Sequence, residues 1–256
     1  MIKDSDITNL YQKIEKMYET VYIRKSISPP HAQIFCGRMR MSEKTDPAGC
    51  DRHKLLFRTY NIIPQYCFNC YKIEIQPQTV IDLFKLLFIF KSPSFPVTNA
   101  RKCFLRSDKD SASHYSGLIY FENSQEAKSI LERIKYIVST NIGENIRIFI
   151  KRGCSDYAKA HPEYAELNKD WEPTLKSNEE WKKIEEQFNK EGLANHLVPV
   201  PNDLYPKEFT FDDLLILQTW LSYARTIGDE SYRKITSKTV KKIPKLNLAP
   251  FVAPGD

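Results

Sequence analysis

A long apolar run is the feature that most constrains how this chain folds. Between Val80 and Phe90, only Asp82 and Lys85 interrupt a series of large hydrophobic residues. A helix with this pattern is apolar nearly all round, so the rest of the chain must cover it on more than one side. The run is also far shorter than the roughly 20 residues that a membrane-spanning helix needs. The sequence therefore predicts a buried core helix and no transmembrane segment.

Predicted strands lie before and after this helix. Alternating or β-branched stretches indicate four strands, at 71–76, 101–106, 117–122 and 146–151. Thr79 is placed to cap the apolar helix. A second helix with one apolar face is predicted from Ser124 to the glycine stop at Gly143.

The order strand, helix, strand, strand, helix, strand favours one α+β architecture. Two right-handed strand-helix-strand units pack as a four-stranded antiparallel sheet with both helices on one face, the ferredoxin-like βαββαβ sandwich. The expected spatial order of its strands is 4-1-3-2. In the first strand, Lys72, Glu74 and Gln76 alternate with apolar residues, and we expect them to face water on the other side of the sheet.

The sandwich is expected to be the central part of a single folding unit. The predicted parts are an N-terminal helix and irregular basic region at 1–66, the sandwich at 67–156, and a helical extension with a basic tail at 157–256. In the extension, Thr210 and Asp213 form a capping-box pattern that opens a helix ending at Gly228. We expect this helix to cover the apolar helix of the sandwich.

The chain carries a net charge of +6, which is concentrated in two basic stretches. One lies between residues 20 and 66, and the other between Arg233 and Lys245. Such stretches attract phosphate backbones, although a solvated tail has the same composition. The N-terminus, with Asp4 and Asp6, has no apolar signal segment, and six cysteines are too few for a disulfide-rich secreted scaffold. We therefore expect a cytoplasmic protein.

Four cysteines fall at one end of the predicted sheet. They are Cys67, Cys70, Cys103 and Cys154. The first two form a Cys-x-x-Cys pair before the first strand, the third lies near the start of the second strand, and the fourth follows the last strand. Four such thiolates form a structural zinc site, and the same set holds iron-sulfur clusters. Cysteine is also commonly buried as a small hydrophobe, and in that case no metal is bound.

A second grouping of cysteines competes with the first. Cys36, Cys50, Cys67 and Cys70, with His53 as an alternate ligand, would attach the basic region to the sandwich. A thioredoxin-type redox role for the Cys-x-x-Cys pair is less favoured, because that motif belongs at a helix N-terminus and this pair precedes a strand. The sequence leaves both groupings open.

The sheet face turned away from the helices is expected to be open and to present aromatic residues among cations. Its predicted members are Lys72, Phe104, Tyr120, Arg147, Phe149 and Lys151. Aromatic rings stack on bases and cations bind phosphates, so this combination suits RNA or single-stranded DNA. A protein partner that covers the same face would explain the aromatic residues equally well.

The third strand, Ser116-Gly-Leu-Ile-Tyr-Phe-Glu-Asn, resembles the aromatic third strand of RNA-recognition domains, which share the predicted fold. Gly117 and Tyr120 fit that pattern. The chain departs from it at Ser116, where those domains have a basic residue, and at Asn123, where they have an aromatic one. The resemblance concerns the fold, and it implies RNA bound on the sheet.

No established catalytic motif occurs in the sequence. It contains no phosphate-cradling glycine loop, no Gly-x-Ser-x-Gly and no His-Glu-x-x-His. His114, near Asp110, and His161, near Asp156 and Cys154, are the candidate acids or bases. The sequence therefore leaves open whether the protein is an enzyme. It favours a nucleic-acid-binding protein with a thiolate metal site over a metal- or cysteine-dependent enzyme and over a scaffold for a protein partner.

Overall fold

The structure is a computed structural model that describes residues 2–17, 33–36, 49–106, 113–168, 173–193 and 209–236. Its helices are α1 (Asp4–Met17), α2 (Gly49–Tyr60), α3 (Val80–Lys91), α4 (Ser124–Asn141), α5 (Ser155–Ala160), α6 (Glu179–Lys190), α7 (Phe211–Ile227) and α8 (Arg233–Thr236). Its strands are β1 (Gln33–Cys36), β2 (Tyr71–Gln76), β3 (Arg101–Leu105), β4 (Tyr115–Phe121) and β5 (Arg147–Arg152). The predicted mixed α+β class is confirmed.

The five strands form one antiparallel sheet in the order β1-β3-β4-β2-β5. The four predicted strands are β2, β3, β4 and β5. If they are numbered 1 to 4 along the chain, their order across the sheet is 2-3-1-4, and β1 pairs with β3 at the edge. Read from its other edge, the four-strand order is 4-1-3-2. In β2, Ile73 lies opposite Ile119 of β4 and Ile150 of β5, and all three side chains are buried on one face.

Helices α3 and α4 both pack on that buried face. Helix α3 contacts β3 and β4, whereas α4 contacts β2, β4 and β5. The outer side of α3 is covered by α1 and α7, since the ring of Phe84 packs edge-on against Trp220 at 5.8 Å and against Tyr11 at 6.2 Å. The ammonium of Lys91 lies 3.1 Å from the carboxylate of Asp213 and fixes the start of α7. The extension thus covers the apolar helix as its sequence pattern requires.

The predicted caps of α3 and α7 are confirmed. The Thr79 side chain accepts a hydrogen bond from the Asp82 amide, and the Asp82 side chain accepts one from the Thr79 amide. Thr210 and Asp213 make the same reciprocal pair at the start of α7. The helix ends at Gly228, whose φ of 79° lies in the left-handed region.

The second face of the sheet is closed to water at its centre, which corrects the sequence prediction. Lys72, Glu74 and Gln76 are only 5%, 1% and 5% exposed, and Ser116 and Leu118 of β4 are buried as well. The alternation of β2 therefore separates two buried faces. Polar and charged side chains are buried at low cost only when they have partners, so this face must satisfy its own charges.

Helix α2 corrects the prediction of a wholly irregular basic region. Its buried stripe includes Arg52 and His53 as well as Leu56. The guanidinium of Arg52 lies 3.0 Å from the Glu185 carboxylate of α6, and Leu56 packs in one cluster with Phe188. A buried arginine and histidine interrupt the apolar period, so the sequence pattern did not indicate a helix.

Several predicted features lie outside the described residues. These are most of the basic region before α2, the loop at 107–112, the proline-marked linker at 199–206 and the basic tail beyond residue 236. The part boundaries near residues 66 and 156 stay predictions.

A tight turn at Gly153 joins β5 to α5. Its φ is 52°, and its amide donates to the carbonyl of Cys70 at 2.7 Å. A Cβ atom at this position would lie 1.6 Å from the hydroxyl oxygen of Tyr164. That hydroxyl donates to the carbonyl of Cys67 at 2.6 Å, so Tyr164 has no room to move away without losing a buried hydrogen bond.

Replacing Gly153 by alanine should lower the free energy of unfolding by about 3 kcal/mol or more, because backbone strain adds to overpacking against Tyr164. Gly228→Ala is the matched control. Gly228 has the same backbone conformation with no atom within 4 Å of the new Cβ, so only strain of about 1 kcal/mol remains. Urea unfolding followed by circular dichroism measures both losses. Equal losses in the two variants would show that Tyr164 does not constrain the turn.

Candidate thiol site around Lys72

Lys72 lies at the end of the sheet where β2 begins and β5 ends. Strand β2 directs its side chain to the second face, opposite Tyr120 of β4 and Lys151 of β5. Its ammonium donates to the carbonyl of Gly153 at 2.8 Å and lies 3.7 Å from the sulfur of Cys154. The same ammonium lies 5.2 Å from the centre of the Tyr120 ring. These contacts hold a cation inside the protein.

The charge of Lys72 depends on neighbouring thiols. Burial opposes the ammonium form, but the nearby sulfur of Cys154 contributes most to raising the pKa of Lys72 well above its ordinary value. A buried charge is costly without an opposite charge near it. In the described part of the chain, no ion pair joins Lys72 to a carboxylate, so the thiols are the groups that can supply the negative charge.

Cys50 approaches this cation from the first turn of α2. His53 follows three residues later on the same face of the helix, and its imidazole lowers the pKa of the Cys50 thiol. Burial opposes that effect, while the positive charges of Lys72 and Lys54 add to it. The residue as a whole is exposed although its sulfur is partly desolvated by neighbouring atoms, and a lowered pKa makes a thiol more reactive.

Aromatic contacts hold this face of α2 in place. The ring of His53 stacks on Tyr66 with centres 5.4 Å apart. One turn later, Phe57 packs on Tyr157 of α5 with ring centres 4.8 Å apart. Because Tyr157 follows Cys154 by three residues, α2 and the turn that holds Cys154 meet beside Lys72.

The Cys-x-x-Cys pair lies in the same cluster but is less reactive. Cys67 is buried, and its thiol donates to the hydroxyl of Tyr157 at 3.6 Å. Burial raises the pKa of Cys70 to about 12, and the positive charge of Lys72 offsets only part of this effect. A thiol with so high a pKa is almost entirely protonated at neutral pH. We use the name thiol cluster for Cys50, Cys67, Cys70 and Cys154 around Lys72.

The predicted metal set divides between the two faces of the sheet. Cys67, Cys70 and Cys154 are in the thiol cluster, whereas Cys103 is fully buried in the core on the helix side. Strand alternation explains the division, because Cys103 pairs with Gly117 and Ile34 on that side. Among the described residues, no three His, Cys, Asp or Glu side chains are arranged to hold a metal ion.

One member of the predicted metal set, Cys154, has its sulfur 3.7 Å from the ammonium of Lys72. Cys36 belongs to the competing set, and its side chain is outside the described part. A metal at either grouping stays a prediction from the sequence.

The residues predicted to bind nucleic acid are only partly accessible. Lys72 is buried and Tyr120 is half-buried, so the centre of the face is not an open platform. An accessible pair remains at the edge strand β5, where the guanidinium of Arg147 lies 4.8 Å from the centre of the Phe149 ring. On the inner strand β3, the ring of half-buried Phe104 has the ammonium of Lys102 at the same distance.

A buried ion-pair network occupies the centre of the second face. The Glu74 carboxylate contacts both Arg106 and Lys151 and accepts a hydrogen bond from the Gln76 amide at 3.0 Å. Burial of the carboxylate opposes its charge, but Lys151 and Arg106 outweigh this and lower the pKa of Glu74. Lys151, which was predicted to bind phosphate, is therefore used to neutralise Glu74.

The candidate acid-base histidines have other contacts. His114 Nδ1 lies 3.3 Å from the Tyr223 hydroxyl, and Asp110 lies outside the described residues. His161 Nε2 lies 2.9 Å from the Asn61 carbonyl oxygen. Sequence reasoning missed the pairing of Cys50 with His53, which it treated only as metal ligands. Their spacing is visible in the sequence, but it places them together only once residues 49–60 are known to be helical.

Comparison with known proteins adds nothing to this geometry. No protein-family model, curated protein or solved structure matches the chain. Within the described ranges, none of the helices combines the length and the apolar character needed to cross a membrane.

Glu74→Gln should cost about 3 kcal/mol of stability at neutral pH, because it leaves two half-buried cations without their buried carboxylate. The lowered pKa means that Glu74 stabilises the fold above its unfolded pKa of about 4.3, and that this contribution disappears as the pH falls through the lower folded-state value. The difference in free energy of unfolding between wild type and Glu74→Gln should therefore become smaller only at acidic pH. Urea unfolding at several pH values measures this difference.

Glu132→Gln on α4 provides the control for this experiment. Glu132 pairs with Lys135 on the surface, so its loss should change stability by less than about 0.5 kcal/mol at any pH. If Glu74→Gln behaved like Glu132→Gln, the network would not be a buried one.

Proposed function

We propose that the protein is a thiol-dependent enzyme in which Cys50 is the nucleophile. The observation that carries this proposal is the spacing of Cys50 and His53, three residues apart on one face of α2, where His53 and the positive charge of Lys72 lower the pKa of the Cys50 thiol. A nucleophile placed beside a base is the signature of covalent catalysis. The residue is exposed, which leaves room for a substrate to approach.

Each group has a definite role in this proposal. His53 accepts the thiol proton and so increases the fraction of thiolate, which is the reactive form. The positive charge of Lys72, with that of Lys54, stabilises the thiolate of Cys50. The amide groups of the first turn of α2 add a further partial positive charge at the same end. Lys72 and Lys54 are positioning groups that act through Cys50.

Two further inferences belong with this proposal. The antiparallel sheet with α3 and α4 on one face supports a ferredoxin-like sandwich extended by β1, a fold that hosts many activities and indicates none. We place the protein in the cytoplasm, because a reducing compartment keeps thiols in the reactive form. Five cysteines have side chains that the structure describes, Cys50, Cys67, Cys70, Cys103 and Cys154, and none of these five is in a disulfide, which supports this placement.

Alkylation with iodoacetamide tests the nucleophile. Cys50 should react first at neutral pH, with a rate midpoint below the roughly 8.5 of an unperturbed thiol. His53→Gln should raise this midpoint by about one pH unit and slow the reaction at pH 7 about tenfold, because the imidazole that lowers the pKa of Cys50 is lost. Peptide mass mapping at a series of pH values gives the rate at each cysteine.

His161→Gln is the control, because His161 is a half-buried histidine whose ring contacts the Asn61 carbonyl. It should leave the Cys50 profile unchanged. A wild-type midpoint at or above that of free cysteine would refute the proposal, and this measurement holds even if His53→Gln fails to fold.

Binding of RNA or single-stranded DNA is the second candidate function. The specific observation that favours it is the exposed Arg147 held over Phe149 on the edge strand β5. A ring with a cation above it provides stacking for a base and charge for a phosphate. The site proposed here is this edge of the sheet, since the centre of the face is buried.

Fluorescence anisotropy with a labelled oligouridine tests this second candidate. Phe149→Ala should weaken binding about tenfold through lost stacking, and Arg147→Ala should reduce the salt dependence by about one counterion. Tyr136→Ala, which removes an aromatic ring 70% exposed on α4, should change neither quantity. Absence of binding at low salt would end this candidate and leave the thiol proposal untouched.

A further inference from the structure

Strand β5 is an edge of the sheet. Among the described strands it pairs with β2 alone, and no described strand lies on its other side. The amide of Gly153, just after β5, donates to the carbonyl of Cys70, just before β2, so these two opposite residues form a hydrogen-bonded pair. Such pairs alternate with non-bonded pairs along an antiparallel ladder, which fixes the direction of every backbone group in β5.

The alternation directs the backbone groups of two isoleucines away from the sheet. Counting back by two from Gly153, residues 151, 149 and 147 bond to β2, while Ile148 and Ile150 direct their amides and carbonyls outward. Within the described ranges, no backbone group donates to or accepts from these outward groups. An edge of this kind can add an extended peptide as a further strand.

A cavity lies on the helix side of this edge. It has a volume of about 380 Å³ and lies between the second half of α4 and the start of β5. Its apolar lining includes Val138, Ile146 and Ile148, and Tyr136, which is 70% exposed, lines it as well. A peptide strand beside β5 would carry its helix-side residues over this cavity, because the side chains of neighbouring strands share a face. Apolar residues at those positions would remove apolar surface from water.

Charges on the two sides of β5 determine the chemistry of a fitting peptide. On the second face, Arg147 is exposed, and no carboxylate of the described residues pairs with it. Lys151 on the same side contacts a carboxylate but keeps 24% of its side chain exposed. The cavity side carries two carboxylates and one ammonium, those of Glu132, Glu144 and Lys135. Carboxylates therefore fit the peptide positions on the second face, and apolar side chains fit the alternate positions over the cavity.

We propose that β5 is a docking edge for an extended peptide in which acidic and apolar residues alternate, with the apolar side chains entering the cavity beside α4. Docking at β5 is a function beyond the thiol chemistry and does not depend on it. A second copy of the chain fits less well, because the register that pairs Ile148 with Ile150 would place Arg147 opposite Lys151 across the two copies, and like charges repel. Nucleic acid has no alternating apolar side chains to fill the cavity.

Fluorescence anisotropy with a labelled peptide of alternating glutamate and valine tests the docking edge on the full-length protein. The peptide should bind at low salt, and a peptide with lysine in place of glutamate should bind about tenfold more weakly or not at all. Main-chain pairing makes a sharper prediction. N-methylation of every second residue should abolish binding for one of the two alternate sets and leave it nearly unchanged for the other, because only alternate amides face β5.

Two variants locate the bound peptide. Tyr136→Ala should weaken peptide binding about tenfold through lost cavity lining, and it should leave any binding of oligouridine unchanged. Arg147→Glu should weaken peptide binding about tenfold through charge repulsion. Arg133→Glu is the matched control, because Arg133 is exposed on α4 outside the cavity lining and its replacement changes the net charge equally. It should leave the affinity unchanged.

Equal binding of the two N-methylated peptides, or no binding of the unmodified peptide at low salt, would overturn the docking edge. Ile148→Pro should abolish binding, because it removes an outward amide and no bond to β2. If this variant fails to fold, the N-methylated peptides still decide. Sedimentation that finds a dimer of the wild type, broken by Ile148→Pro, would make a second copy the occupant instead. Loss of oligouridine binding in Tyr136→Ala would make nucleic acid the occupant, and either result refutes a peptide site.

Discussion

The apolar surface of α3 has to be kept from water on every side, and the positions of most described elements follow from that requirement. Eight of its twelve residues are buried, and each large side chain contributes about 1.5 to 3 kcal/mol relative to exposure. The sheet covers one side of the helix, and α1 and α7 cover the other. A sheet with two helices on one face would leave the outer side of α3 in water. The C-terminal extension therefore completes the core of the sandwich.

Burial of the second sheet face has a different physical basis. There the side chains of β2 are charged or polar, and they are stable inside the protein because each meets a partner across strands or across elements. Glu74 is held by Arg106 and Lys151, while Lys72 has a carbonyl, a sulfur and an aromatic ring. Closing this face removes the platform on which nucleic acid would lie. It also places the thiol of Cys154 against a desolvated cation.

The sequence alone predicts the helix-covered face of the sheet better than the second face. On the helix side, burial uses apolar side chains whose spacing is visible along the chain, so the strands, α3 and the caps were predictable. On the other side, burial uses charge pairs such as Arg52 with Glu185, whose members lie far apart in sequence. No local pattern separates a paired charge from a solvated one, and so α2 and the closed face were missed. Cysteine spacing likewise indicated one end of the sheet but could not decide that Cys103 faces the core.

A nearby positive charge stabilises a thiolate, and two kinds of cation can supply that charge. In a metal site the cation is a bound ion, whereas here the chain supplies it as the Lys72 ammonium, 3.7 Å from the Cys154 sulfur. Two opposite unit charges 4 Å apart attract by about 4 kcal/mol at an effective dielectric of 20. Negative charge near the Lys72 ammonium therefore offsets much of the cost of burying it. The neighbouring sulfurs accordingly raise the pKa of Lys72, so this cation keeps its proton inside the protein.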